Sequence, residues 1–131
     1  MTSVNAATRD EVRLRGKNQG EYCRRPQSRS LLIQFHVEHV VPRKHGGSDH
    51  VDNLALARPE CNFHKGTNLA GLVGDPPRLQ ELFDPRSHRW DDHFGWDGVR
   101  IVPKTLIGEV TIRVLCLNSE ERLQVCNAWQ T

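Results

Sequence analysis

The chain has 131 residues, 37% of them hydrophobic and 26% charged, which fits one globular domain over residues 1–131. Lys and Arg number 18 against 16 Asp and Glu, a net charge of +2, which excludes a protein run by bulk positive charge alone. No apolar stretch is long enough to span a bilayer, Met1 to Gly20 lacks the apolar run of a secretory signal, and 4 cysteines without an export signal point to reduced thiols in the cytoplasm.

Thr8-Arg9-Asp10-Glu11 fits a capping box, so a short helix is predicted from there to about Lys17. Tyr22-Cys23-Arg24-Arg25-Pro26 reads as a turn. Leu31 to Val41 is rich in β-branched and aromatic residues and predicts a strand, with Phe35, Val37, His39 and Val41 on one face. Pro42 cannot donate to a ladder and should end it. A polar loop from Arg43 to Asp52 follows, centred on Gly46-Gly47, and then a second apolar segment, Asn53 to Ala57. Pro59 suits the first position of a helix ending near Gly66 or Gly71. Asp75-Pro76-Pro77 is a break, and Leu79 to Phe83 a short amphipathic piece. Asp97-Gly98 between two apolar runs is a strong hairpin signal. Thr105 to Leu117 fits either period, and the Glu109/Arg113 spacing tips it to helix. Asn118-Ser119-Glu120-Glu121 predicts a last helix to about Trp129, with Cys116 and Cys126 in the core of these C-terminal helices.

Charge is uneven along this order. Residues 1–66 hold 11 Lys and Arg against 7 Asp and Glu, together with 5 of the 7 His, whereas residues 67–131 hold 7 against 9. A basic first part suits a polyanion, although a mildly asymmetric solvated surface gives the same counts. Within it lie Glu38-His39, Gly46-Gly47, Asn53 and Cys61-Asn62, followed by Lys65-Gly66, in that order. Hydrolysis of a phosphodiester needs an activated water, charge stabilisation on phosphoryl oxygens and help for the leaving oxygen. A histidine such as His39 can take a proton from water near neutral pH. Glu38 and Asn62 offer hard oxygen ligands of the kind Mg²⁺ and Mn²⁺ prefer. Neighbours on a strand point to opposite faces, so Glu38 and His39 can address one phosphate only from two sides or where the strand ends.

Val37-Glu38-His39-Val40-Val41-Pro42-Arg43, Gly46-Gly47, Asn53-Leu54-Ala55-Leu56 and Cys61-Asn62 together resemble the HNH endonucleases, with nine residues from Asn53 to Asn62 as in that family. The close resemblance covers roughly Tyr22 to Gly66, and a looser one runs through Leu82 to Arg86 and Trp90 to Phe94. It implies an α+β fold: a small ββα-metal finger over about 22–70, with flanking helices and a C-terminal extension over about 71–131 that contains a hairpin and helices. It further implies metal-dependent cleavage of DNA, with His39 as general base, Asn53 orienting the loop, and Glu38 and Asn62 on one divalent ion, Mg²⁺ or Mn²⁺. His64 is a possible additional ligand, but it lies about 200° around the helix from Asn62. Arg43, Lys44, His45 and Lys65 are candidate DNA contacts, with a solvated basic loop as the plain alternative. Many family members hold a structural zinc with two CxxC pairs. Here the quartets Gly20–Cys23 and Arg58–Cys61 each keep only the second cysteine, and two thiolates do not close a tetrahedral site, so structural zinc is not expected. A Cys23–Cys61 disulfide is disfavoured in a reducing compartment. The alternative function is an HNH-like module that binds nucleic acid without cutting it. Trp90 and Trp96 are expected to pack, and Asp91-Asp92-His93 has no further ligands at a telling spacing. Oligomeric state, a homo-oligomer included, is left open by the sequence.

Overall fold

The computed structural model describes residues 4–27 and 33–124, and its architecture is α+β. Helix α1 spans Ala6–Arg15 and begins earlier than the Thr8 signal suggests, because the Asn5 side chain accepts from Thr8 N and caps it. Strand β1, His36–His39, pairs antiparallel with β2, Leu54–Ala57, with Glu38 opposite Ala55 and His39 opposite Leu54. The first strand is shorter than predicted: residues 33–35 lie outside the ladder, and Leu31 and Leu32 lie outside the described residues. Pro42 follows shortly after the strand, as its missing donor requires. Helix α2, Pro59–Lys65, carries proline at its first turn and closes at Gly66.

Three further pieces form the extension. Strands β3, Ala70–Val73, and β4, Arg78–Glu81, make a hairpin turned at Gly74, where φ is +93°. The amphipathic piece expected at Leu79 to Phe83 thus contributes its first three residues to β4. The short helix α3, Trp90–His93, leads into the hairpin of β5, Phe94–Asp97, and β6, Arg100–Pro103, which turns at the predicted Asp97-Gly98. Helix α4, Leu106–Val114, is capped by the Thr105 hydroxyl on Gly108 N, with Arg113 and Glu109 3.9 Å apart on one face. Cys116 is not in a helical core: it sits half-buried in the turn after α4, with φ of +52°. A further helical turn occupies residues 120–124, and the expected continuation to Trp129, with Cys126, lies outside the described residues.

The β1–β2 ribbon is covered on both faces. One face joins Val12 of α1 to Phe35, Leu54 and Leu56. The other joins Val40, Ala55, Ala57, Tyr22, Cys23 and Cys61 to Phe83, Trp90, Phe94, Leu115 and Leu117 of the extension. A Val or Leu buried this fully contributes about 1.5–3 kcal/mol, so both seams matter to the finger. Trp90 packs as expected, its indole N–H donating to Tyr22 O at 2.9 Å while Trp96 stacks beside it at 5.5 Å between ring centres. Among the described residues, no helix is long and apolar enough to cross a membrane.

Candidate active site on the finger

The β1–β2 connection is held by one side-chain amide. Asn53 Oδ1 accepts from Val41 N at 2.9 Å, while its Nδ2 donates to Val41 O at 2.9 Å and to Ser48 O at 2.8 Å. An amide alone among neutral side chains both donates twice and accepts, which is what pinning two stretches of backbone requires. Gly47 allows the close approach, since a Cβ there would lie 1.6 Å from Val41 O.

The strand end then presents its two chemical residues differently. Glu38 turns inward and is 5% exposed. Its Oε1 accepts a short hydrogen bond from the Tyr22 hydroxyl, and Lys65 Nζ stands 3.6 Å from its Oε2. Burial pushes the Glu38 carboxyl up from its ordinary value, against the pull of the Lys65 charge and the Tyr22 bond. Burial and the neighbouring Glu38 charge likewise raise the Tyr22 phenol well above its usual range. His39 turns the other way: its Nε2 lies 2.7 Å from Asp49 Oδ1, which also accepts from Arg43 Nε at 2.9 Å.

Asn62, on α2, brings its Nδ2 to 3.2 Å from His36 Nδ1. Because the strand ends here, Glu38, His39 and Asn62 nevertheless line one open pocket of about 340 Å³, with Arg43 and Lys44 on its rim. The carboxylate of Glu38 and the amide oxygen of Asn62 fit a hard divalent cation that keeps several waters. Among the described residues no group of three or more His, Cys, Asp or Glu side chains is placed to hold a metal. An ion held at this pocket would therefore need water and substrate oxygens for the rest of its shell.

The other predicted residues divide. His64 is exposed, lies edge-on to Phe63 at 5.3 Å and lines a separate depression with Glu120 and Glu121, away from Asn62. His45 is exposed, with Nε2 3.0 Å from Thr67 O. Lys65, expected at the surface, is instead 2% exposed, because its ammonium is drawn beneath the strand end to Val40 O at 2.9 Å and to Glu38. Sequence reasoning misses three neighbours. Asp49 lies in a polar loop ten residues from His39 with no spacing rule to flag it. Tyr22 reads in the sequence only as part of a turn. His36 is findable, since it stands two residues before Glu38 and so shares its strand face.

A family model described as HNH endonuclease matches residues 21–68. No curated protein and no solved structure matches the chain.

Proposed function

We propose that this protein, whose residues 21–68 match the HNH endonuclease family model, is a metal-dependent nuclease that hydrolyses phosphodiester bonds in DNA. The observation that supports it most is the shared pocket of Glu38, His39 and Asn62. His39 is the general base. Its Nε2 faces Asp49, so with that nitrogen protonated the opposite ring nitrogen, Nδ1, takes the proton from the attacking water. Asp49 is a positioning residue, fixing the ring's orientation and tautomer as a carboxylate does in other histidine-based sites. Asn53 holds the loop that carries Asp49 in register with the strand end. Glu38 and Asn62 would hold the divalent ion, Mg²⁺ or Mn²⁺ on the chemistry of their oxygens. The bound ion supplies charge stabilisation on the phosphoryl and leaving oxygens. Arg43 and Lys44 at the pocket rim meet flanking phosphates. The free thiols of Cys23, Cys61 and Cys116 suit a reducing compartment such as the cytoplasm.

One observation favours the alternative, a module that binds DNA without cutting. Glu38 already has a cation within the fold, Lys65 at 3.6 Å, which competes with a metal for the carboxylate. Supercoiled plasmid cleavage separates the two. The nuclease reading expects cutting with Mg²⁺ or Mn²⁺, arrest by EDTA, and a loss of at least about 100-fold in His39→Ala. Salt-sensitive DNA binding with no cutting under any of these ions would establish the binding module instead.

A further inference from the structure

Outside the matched segment, α1 lies along β1 and the two leave a groove of about 420 Å³ between them. Arg9 and Arg13 come from α1, Gln34 and His36 from the approach to β1 and its first residue, and His39 and Arg43 close the far end. Among the described residues no Asp or Glu lines it, and Asp49 stands behind its far end, bonded to His39 and Arg43. The helix sorts its charges this way by its own geometry. Arg9 and Arg13 are four residues apart on one face, whereas Asp10 and Glu11 fall about 100° and 200° around from Arg9. Val12, fully buried among Phe35, Leu54 and Leu56, locks the rotation of the helix that sends the two arginines to the groove. Neither Arg9 nor Arg13 has an ion-pair partner among the described residues.

The groove shares Val37, His39 and Arg43 with the pocket of Glu38 and Asn62. The two depressions thus form one path, with His39 at their junction. We propose that this groove is the track for the phosphate backbone of duplex DNA on one side of the cut, with Arg9 and Arg13 as its phosphate contacts. The inference rests on the nuclease reading for the position of the cut, but its binding claim is separable. Guanidinium groups suit such a track, because their planar donors match phosphate oxygens and carry no sequence preference of their own.

The test is the affinity of the full-length protein for a duplex oligonucleotide across a salt series, read by fluorescence anisotropy with EDTA present. Arg9→Ala/Arg13→Ala should weaken binding equally for unrelated sequences. The slope of log affinity against log salt should fall by about 2, close to 1 for each phosphate that is no longer neutralised. Arg9 is exposed and Arg13 half-buried on a helix that alanine favours, so the double variant is expected to fold, and urea unfolding checks it. Arg78→Ala/Arg100→Ala removes the same charge from exposed positions on the two extension hairpins and should leave the slope nearly unchanged. With Mg²⁺ or Mn²⁺, the groove variant should raise KM while kcat at saturating DNA holds. Equal slopes for both double variants, an unchanged slope in the groove variant, no measurable DNA binding by the wild type, or tighter binding to duplex RNA would each overturn the proposal. A groove effect on binding, with a wild type that never cuts, would leave the track standing and remove the nuclease reading.

Discussion

Beneath the strand end, a carboxylate and an ammonium share the interior with a phenol. Lys65 Nζ donates to Val40 O and His39 O at 2.9 and 3.3 Å and stands 3.6 Å from the Glu38 carboxylate. Removing one member of such a pair leaves the other charge buried without compensation, at a cost of about 3 kcal/mol. The sign of the pH dependence follows from Glu38. Its folded carboxyl already sits above the ordinary value of 4.5, with burial as the largest cause and Lys65 opposing it. In Lys65→Met that opposition is gone, and the folded value rises further. A folded state that holds a proton which the unfolded chain releases is favoured below the unfolded value. That advantage disappears as pH climbs through the folded one. The stability gap between Lys65→Met and wild type should therefore be smallest near about pH 4 and widen toward about pH 8. Urea unfolding across that range measures it. A gap that stays constant with pH would mean that Lys65 acts only through its bonds to the main-chain carbonyls.

At the scale of the element, the loop joining β1 to β2 depends on adjacent glycines for different reasons. Gly46 has φ of +89° and open space around it, so a side chain meets only backbone strain, about 1–2 kcal/mol. Gly47 has no room at all: a Cβ would lie 1.6 Å from Val41 O and 2.9 Å from Asn53 Nδ2. Gly47→Ala should therefore push the Asn53 amide off Val41, displace Asp49 from His39, and cost both stability and cleavage more than Gly46→Ala. Unfolding midpoints and single-turnover cleavage of the two variants compare them directly, and equal cleavage would detach the loop from the chemistry. Much of this element was legible in the sequence. Asn53 and Gly46-Gly47 named the connection, Pro42 and Pro59 its flanking boundaries, and Asp97-Gly98 the last hairpin. The β3–β4 hairpin was hidden because Arg78–Glu81 is largely exposed, so no buried alternation marks it as a strand. The partners of His39 and Glu38 were hidden for another reason. Asp49 and Lys65 reach them only once the loop and α2 have folded back on the strand end, and no local pattern encodes that return.

Across the whole molecule, the finger and the extension exchange buried arginines. Arg25, in the turn before β1, sends Nη1 to Leu117 O at 2.8 Å and Nη2 to Val99 O at 3.3 Å. Arg122 reaches back, with Nη1 3.1 Å from Cys61 Sγ and Nη2 3.1 Å from Leu115 O. Cys61 in turn shares a hydrogen bond with Cys23, which lowers the Cys23 thiol while raising its own. All four quartet positions gather at this corner, since a Cβ at Gly20 would fall 2.8 Å from Cys23 Sγ and 3.8 Å from Arg58 Cβ. A glycine and an arginine thus stand where a tetrahedral thiolate site would need two more sulfurs, and Arg122 supplies the positive charge beside the cysteines that remain. The finger's stability then depends on the extension. Arg122→Met keeps the apolar stem of the side chain but strips donors from Leu115 O and Cys61 Sγ, and should cost about 2–3 kcal/mol in urea unfolding. Its effect should reach the pocket as well, because Asn62 directly follows Cys61 on α2. Metal-dependent cleavage should then fall in the folded variant, while DNA affinity, which the proposed groove would carry through Arg9 and Arg13 of α1, holds. Unchanged stability and cleavage would mean that each half carries itself and that the arginine exchange is incidental to the site.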